Sequence, residues 1–311
     1  MTKRYIIGID LGGTNLRIAL FGLGFKIIDR KNLNTANFGQ KERLIAAIVD
    51  SVNNIIENNR LIKNNILGVG LGLPGPIDVN RGVVHFFPNI PGWCEVNLKK
   101  ILEKNLKLQV FMDNDANLMA LAEYKLGAAK GSKNAVCLTL GTGVGGGIII
   151  EGNLYRGSSF AAGEIGHMPI NERGPECNCG GFACLESYIG NRRIMREAQR
   201  IFKRDEVSLE ELSRMAYHNN KKAARIWSGV GERLGVALVS VVNLLNPDCI
   251  VIGGGLANAG RILFDKVEET ILTRAMIVQA RAVKVRKAKL GNGAGTIGAA
   301  ILVKENIKMK K

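Results

Sequence analysis

The sequence lacks a long apolar run, which limits where the chain can reside. No stretch approaches the roughly 20 apolar residues of a membrane-spanning helix. The first residues, MTKRYIIGIDLGG, include an aspartate where a signal peptide would continue its apolar core, so we expect no secretory signal. Six cysteines without such a signal are typical of a reducing compartment. We therefore expect a cytoplasmic protein with no membrane partner and no disulfide framework.

A concentrated basic arm is also missing, although basic residues outnumber acidic ones. The chain has 43 Lys and Arg against 27 Asp and Glu, which gives a formal net charge of +16. These residues are scattered along the chain, apart from the terminal run KENIKMKK. A scattered excess is more typical of a lysine-rich solvated surface than of a nucleic-acid interface. We therefore expect no nucleic-acid partner and only a weak attraction for anionic nucleotides.

Three glycine-rich loops follow apolar runs that we predict to be strands. The loop after Tyr5–Ile9 reads DLGGTN, the loop after Ala135–Leu140 reads GTGVGGG, and the loop after Cys249–Ile252 reads GGGL. Backbone N–H groups of the first two loops can cradle phosphate, and the Asp10 carboxylate can hold Mg²⁺. Because two candidate phosphate loops are already present, we interpret the third loop as a contact for the nucleoside. A tight hairpin turn or a flexible connection would use the same glycines, and these remain the alternatives.

The second loop also matches GxGxxG, the fingerprint of dinucleotide-binding domains, at Gly141, Gly143 and Gly146. That interpretation requires a helix directly after the loop. The residues that follow, IIIEG, are typical of a strand, and a strand–loop–strand arrangement suits a second phosphate loop better. A nicotinamide-dependent dehydrogenase is therefore the weaker alternative.

Three of the six cysteines, Cys177, Cys179 and Cys184, lie in one short segment. Thiolates and one imidazole can complete a tetrahedral zinc site, and His167 is the nearest histidine. Reduced thiols in an apolar core are the alternative, but the surrounding glycine, proline and asparagine do not favour a packed core. Because the protein would fill all four positions, the zinc would be structural and would leave no position for water.

A carboxylate at the start of a predicted helix is the candidate catalytic base. The run VFM is followed by Asp113, Asn114 and Asp115, and a helical pattern then continues to Gly127. We expect Asp115 to cap this helix and the helix N-terminus to keep its carboxylate ionised. Such a carboxylate can take a proton from a hydroxyl during phosphoryl transfer. A simple N-cap is the alternative, and both roles can hold.

The length and the order of the motifs predict two domains. A chain of 311 residues is long for one core. Each half begins with a predicted hairpin around a glycine turn and continues with mixed strands and helices. We expect a smaller domain of residues 1–114 with 295–311, closed by the C-terminal helix, and a larger domain of residues 115–294 that carries the cysteine segment.

Together these motifs resemble the ROK family (repressors, open reading frames, kinases), within the actin-like, ribonuclease-H-like sugar kinases. The resemblance covers almost the whole chain. Its components are GIDLGGTNLR, GLGLPGPID, NIPGW, DNDANLMALAE, LTLGTGVGGGII, GEIGHMP, CNCGGFACLES and VIGGGL. It implies a two-domain α/β fold with a central cleft, ATP as donor, a catalytic Mg²⁺, a structural Zn²⁺ and a homodimer.

The resemblance also implies a role for each matched residue. Asp115 would be the base that accepts the proton of the sugar's 6-hydroxyl. The implied sugar-binding residues are Gly75, Asn89, Asn114, Asp115, Glu164, His167 and Glu186. The implied phosphate, magnesium and nucleoside contacts are Asp10, Gly12, Gly13, Thr14, Gly141, Thr142, Gly143, Gly254, Gly255 and Leu256. The implied zinc ligands are His167, Cys177, Cys179 and Cys184, so that His167 would link the metal to the sugar.

One residue departs from the family pattern. Ala183 stands where the family has a glycine immediately before the third cysteine. If this position requires a positive φ, alanine there costs about 1 kcal/mol. We expect local strain in the loop and an unchanged set of zinc ligands.

The substrate is the least specified feature. Glucose is the first candidate, because the Glu164, His167 and Glu186 set and the NIPGW segment look most like the glucokinases of the family. N-acetylmannosamine, N-acetylglucosamine, fructose and allose remain alternatives, as do polyphosphate and ADP as donors. Repressors of the family carry a helix-turn-helix ahead of the first strand, and only a few residues precede Tyr5 here. We therefore expect an ATP:hexose 6-phosphotransferase and keep a non-catalytic, sugar-responsive regulator as the alternative.

Overall fold

The computed structural model describes residues 3–87 and 92–308 of the chain. The chain divides into two compact units by its internal contacts. Unit 1 contains Met1–Ala122, Arg156–Ala162 and Asn292–Lys311, and unit 2 contains Glu123–Tyr155 and Gly163–Gly291. The domain boundaries expected from the sequence, after residue 114 and before residue 295, stay a prediction.

Unit 1 is built on a five-stranded sheet. The first half of the chain contains the strands β1 (Tyr5–Leu11), β2 (Asn15–Gly22), β3 (Ile27–Asn34), β4 (Ile66–Leu73), β5 (Ile77–Asp78), β6 (Val83–Phe86), β7 (Cys94–Val96) and β8 (Val110–Asn114). The sheet has the order β3-β2-β1-β4-β8, in which β3, β2 and β1 are antiparallel and β1, β4 and β8 are parallel. Strands β5, β6 and β7 form a small antiparallel sheet. The predicted hairpin around the first glycine turn is confirmed.

Unit 2 repeats the plan of this sheet. Its strands are β9 (Ala135–Leu140), β10 (Val144–Ile150), β11 (Asn153–Tyr155), β12 (Cys249–Gly253) and β13 (Lys284–Lys287). They have the order β11-β10-β9-β12-β13, again with three antiparallel strands followed by two parallel ones. The similarity between the two halves that the sequence suggested is therefore confirmed at the level of sheet topology.

The helices of the first half follow the apolar periodicity of the sequence. They are α1 (Lys41–Asn58), α2 (Leu98–Leu106) and α3 (Asp115–Leu126), and the last helix, α10 (Ala294–Lys308), also belongs to unit 1. Helix α1 buries Leu44, Ile48 and Val52, which recur every four residues on one face. Gly8 and Gly70 allow α10 to lie directly on the sheet, because a Cβ atom at either would collide with a backbone oxygen of α10.

Unit 2 has a core dominated by one long helix. Its helices are α4 (Leu185–Ile189), α5 (Asn191–Phe202), α6 (Leu209–Tyr217), α7 (Lys221–Leu245), α8 (Arg261–Arg274) and α9 (Ile277–Ala282). Within the described residues, α7 is the one helix whose length and composition would suit a membrane span. Eleven of its residues are buried, among them Trp227 and Leu234, which belong to the same apolar cluster as Val267 of α8. This core position accounts for its apolar composition.

Candidate active site

The first glycine turn places Asp10 beside the start of α10. The turn between β1 and β2 closes through the Gly12 N–H, which donates to the Asn15 carbonyl over 2.8 Å. Asp10 points from β1 toward Gly295, where a Cβ atom would lie 2.5 Å from the Asp10 carboxyl carbon. The N-terminus of α10 therefore lies against the carboxylate, and its backbone dipole favours negative charge there. Gly13 and Thr14 are exposed in the same turn.

Arg17 is a further charged residue of this turn. It is the cross-strand partner of Asp10, and its Nη1 lies 3.1 Å from the Asp10 carboxylate. Burial raises the pKa of Asp10, and the ion pair with Arg17 offsets part of that shift. Arg17 was not among the residues predicted from the sequence, because the register that places it opposite Asp10 is known only from the structure.

The turn at the end of β8 carries Asn114 and Asp115. The Asn114 side-chain oxygen accepts from the N–H groups of Ala116 (2.9 Å) and Asn117 (3.3 Å), so Asn114 is the N-cap of α3. The expectation that Asp115 caps the helix is wrong, because Asp115 is already the first helical residue. Its carboxylate is half-buried and accepts from the Ala116 N–H over 2.8 Å.

The sugar-binding residues assigned to unit 1 converge in part. The Asn114 side-chain amide lies 3.4 Å from the carbonyl oxygen of Gly75 and donates to it. Gly75 has a φ of +91°, which glycine adopts readily. The structure therefore brings Gly75, Asn114 and Asp115 together. Asn89 lies outside the described residues.

The second glycine loop is shorter than the sequence suggested. Strand β10 begins at Val144 and includes Gly145–Gly147, so the loop consists of Gly141–Gly143. Gly146 pairs with Leu138 in the sheet, and the helix that a dinucleotide-binding loop requires does not follow. The loop is closed by the Gly141 N–H, which donates to the Gly143 carbonyl over 2.9 Å.

Glu186 is anchored directly to this loop. Its Oε2 accepts from the N–H of Val144 over 2.8 Å, and a Cβ atom on Gly143 would collide with the same carboxylate. Glu186 lies in the first turn of α4. Glu186, which the resemblance assigns to the sugar, therefore fixes the end of the candidate phosphate loop.

The third glycine loop lies beside the second. Gly254 has a φ of +83°, and a Cβ atom on it would collide with the backbone of Leu140, the residue before Gly141. Gly255 then opens a 3₁₀ turn that ends at Ala259, in which Leu256 is buried. Unit 2 therefore places the candidate phosphate and nucleoside loops against each other.

Glu164 and His167 occupy the two ends of a single short turn. Glu164 precedes the 3₁₀ turn Ile165–His167, and its carboxylate lies 3.8 Å from His167 Nε2. The other ring nitrogen, Nδ1, lies 3.6 Å from the sulfur of Cys177. His167 therefore has one nitrogen toward the cysteines and the other toward Glu164.

The four predicted metal ligands form a compact cluster. The ligand atoms of His167, Cys177, Cys179 and Cys184 all lie within 4.8 Å of one another. The Cys179 and Cys184 sulfurs are 3.7 Å apart. Zn–S bonds of about 2.3 Å and a Zn–N bond of about 2.0 Å in tetrahedral geometry would separate the sulfurs by about 3.8 Å and nitrogen from sulfur by about 3.5 Å. The donor set and its spacing therefore fit zinc.

The cysteine loop contains the strained residue that the sequence indicated. Ala183 has a φ of +56° and is fully buried. Its N–H donates to the Pro175 carbonyl, and its own carbonyl accepts from the Ile170 N–H.

Next to Ala183, burial and the neighbouring cysteines raise the pKa of Cys184 to about 12. Metal binding would therefore have to displace a proton from this thiol.

A comparison with protein families gives one match across nearly the whole length. The family described as ROK family matches residues 6–306. The chain belongs to the ROK family. It is 36% identical over 98% of its length to the glucokinase of Halalkalibacterium halodurans, of which 96% is covered. It is also 30% identical over 96% of its length to the xylose repressor of Caldicellulosiruptor bescii, of which 77% is covered.

Solved structures of ROK proteins also match over nearly the whole chain. The ROK hexokinase from Thermus thermophilus gives a TM-score of 0.84 at 34% identity, covering 98% of this chain and 99% of that one. A ROK family glucokinase from Streptomyces griseus in complex with glucose and AMPPNP gives 0.83 at 30% identity, covering 97% and 99%. This ROK chain therefore has the actin-like, ribonuclease-H-like sugar kinase fold that its motifs predicted.

The expected site residues of this ROK protein fall into two groups. Those of unit 1 are Asp10, Gly12, Gly13, Thr14, Gly75, Asn114 and Asp115. Those of unit 2 are Gly141, Thr142, Gly143, Glu164, His167, Cys177, Cys179, Cys184, Glu186, Gly254, Gly255 and Leu256. Their roles in binding and catalysis stay predictions.

Proposed function

We propose that this ROK protein is a glucokinase, which transfers the terminal phosphoryl group of ATP to the 6-hydroxyl of glucose. The observation that carries this proposal is the full-length similarity to glucokinases, combined with a half-buried carboxylate at the start of α3. The fold alone would not distinguish a kinase from other sugar-binding ROK proteins. The position of Asp115 is what gives the chain a candidate base.

Asp115 is proposed to accept the proton of the attacking hydroxyl. Its Oδ1 accepts from the Ala116 N–H. Asn114, the residue directly before it, is held in place because it caps α3 and donates to the Gly75 carbonyl. A carboxylate whose orientation is fixed before substrate arrives loses little entropy at the moment of reaction. The helix N-terminus stabilises its ionised form, which is the form that can act as a base.

The remaining assigned residues are proposed to hold the two substrates. Glu164, His167 and Glu186 present acceptors and a ring nitrogen to sugar hydroxyls. The loops at Gly12–Thr14 and Gly141–Gly143 present backbone N–H groups to phosphate, and Gly254–Leu256 flanks the nucleoside. The Asp10 carboxylate is proposed to hold Mg²⁺, and the ion when bound would neutralise charge on the phosphates.

The cysteine cluster is proposed to bind a structural zinc. With all four ligands supplied by the protein, the ion leaves no open position for chemistry. Its function would be to fix the ring of His167, because a metal on Nδ1 determines where Nε2 points. We also propose a cytoplasmic homodimer, on the basis of the family resemblance.

The test is ADP release with Mg–ATP against glucose, mannose, fructose, allose, N-acetylglucosamine and N-acetylmannosamine. Turnover on glucose above all others is the expected result. Turnover on another hexose would retain the mechanism and change the substrate. The second candidate, a sugar-responsive regulator, is favoured by the similarity to the xylose repressor, and sugar binding by folded, zinc-loaded protein without turnover would support it.

A further inference from the structure

A buried carboxylate next to the candidate base accepts three hydrogen bonds and forms an ion pair. The side chain of Asp113 is 1% exposed. Its Oδ2 accepts from Arg156 Nε and lies 2.7 Å from Arg156 Nη2. Its Oδ1 accepts from the Asn114 N–H and from the Asn117 side-chain amide, each over 2.9 Å. One oxygen therefore binds the arginine, and the other organises the turn that leads into α3.

Arg156 comes from a distant and unusual part of the chain. It opens the segment Arg156–Ala162, which belongs to unit 1 although the chain on either side of it belongs to unit 2. The Ala162 N–H donates to the Arg156 carbonyl over 3.0 Å and closes this segment into a loop. The chain continues through Gly163 to Glu164, one of the assigned sugar-binding residues.

Because Asp113 is buried, loss of its ion pair would change the structure of the turn. A buried carboxylate without a cation is strongly destabilised and would take up a proton or draw in water. Either change would disturb the bonds on Oδ1, which hold the backbone of Asn114 and the side chain of Asn117. Asn114 caps α3 and directly precedes Asp115, so the disturbance would reach the orientation of both.

We propose that Arg156 is a positioning residue for phosphoryl transfer, which fixes the Asp113–Asp115 turn through its two-pronged ion pair with Asp113. This rests on the proposed function of Asp115 as the base. Arg156 acts through Asp113 and needs no contact with the substrate. The pair cannot be recognised in the sequence, because 43 positions separate the two residues and no local spacing connects them.

The test compares Arg156→Met, Arg156→Lys and the double variant Asp113→Asn with Arg156→Met. Arg156→Met should lower kcat roughly 10–100-fold, since small misplacements of catalytic groups have effects of this size, and leave the KM for ATP within about twofold of wild type. Arg156→Lys should recover part of the loss, because it keeps the charge but not the fork. The double variant should also recover part, because a neutral amide in place of the Asp113 carboxylate needs no cation and can still accept on its oxygen.

A matched control separates positioning from general stability. Arg204→Met removes another arginine–carboxylate pair, with Glu211 in unit 2, and should leave kcat unchanged. All variants are measured well below their melting temperatures, with kcat expressed per folded protein. If Arg156→Met retains wild-type kcat, or if the double variant is no better than the single one, the positioning role is wrong and the glucokinase function stands. A wild type that phosphorylates no hexose would overturn both.

Discussion

The turn at the end of β8 and the cysteine segment of unit 2 hold their side chains in place by different means. In the turn, Asn114 and Asp113 bond to backbone N–H groups and to neighbouring side chains. In the cysteine segment, Cys179 is exposed and Cys177 half-buried, and the observed links between ligand side chains are thiol contacts of 3.6–3.7 Å. Thiols are weak hydrogen-bond partners.

This difference predicts which region is preformed by the chain itself. The side chains of Asp113 and Asn114 have partners within the protein, so the turn can hold Asp115 without any bound ion. The ligand side chains of the cysteine segment lie within 4.8 Å of one another, and an ion among them would supply the strong links that these side chains do not make themselves. Substitutions in the turn should therefore affect chemistry, whereas substitutions among the cysteines should affect metal content, stability and sugar affinity.

The largest effect is expected from Asp115→Asn. The amide keeps the size of the side chain and an oxygen for the Ala116 N–H, but it cannot take a proton. We expect kcat to fall roughly 10²–10⁴-fold, while glucose affinity measured by calorimetry stays close to that of wild type. Asp78→Asn is the matched control, since Asp78 also accepts backbone N–H groups in unit 1. Near wild-type turnover of Asp115→Asn would remove this residue as the base.

Cys179→Ser tests the other side of the comparison. Loss of one thiolate should abolish stoichiometric zinc, lower the melting temperature and release the ring of His167. We expect the KM for glucose to rise about 10-fold, equivalent to about 1.4 kcal/mol of binding energy. Metal content, melting temperature and kinetics are measured together, and Cys94→Ser, an exposed cysteine outside the cluster, is the control. A zinc-free variant with full glucose affinity would show that His167 does not need the metal.

Glu186→Gln is expected to raise the KM for glucose less than Cys179→Ser does. It tests whether a side chain of unit 2 that is held by a backbone N–H can be changed without loss of zinc. Glu186 lies in unit 2 but is held as the turn is held, through a backbone N–H at Val144. A neutral amide would weaken that bond and the sugar contact by about 1 kcal/mol, so the KM for glucose should rise about fivefold without loss of zinc. Glu206→Gln, at an exposed position, is the control. Loss of zinc in Glu186→Gln would mean that the loop and the metal site are not independent.

The elements that could be predicted from the sequence are those with a local pattern of residue types. Buried strands and amphipathic helices such as α1 and α7 follow from apolar runs and periodicity. The cysteine cluster follows from ligand type and spacing. Strands β3 and β13 were not predicted, because both lie at sheet edges, where polar and charged residues replace the apolar pattern.

Contacts between distant parts of the chain could not be predicted from the sequence. The Arg156–Asp113 pair depends on how a loop folds back, and no local rule encodes it. The identity of the α3 cap was wrong by one residue, because Asn114 and Asp115 are both good capping residues and only the backbone conformation decides between them. The sequence indicated that Ala183 would be strained if its φ were positive, and the structure shows that φ is positive there.

The smallest effect is expected from Ala183→Gly in the cysteine segment. Glycine would relieve about 1 kcal/mol of left-handed strain but would also remove a buried methyl group worth about 0.8 kcal/mol. The two terms nearly cancel, so the melting temperature should change by less than about 3 °C. Ala198→Gly is the matched control, since Ala198 is equally buried but lies within α5. There both terms are unfavourable, and a loss of about 1–2 kcal/mol is expected. Equal losses at the two positions would mean that the left-handed conformation of Ala183 stores no strain.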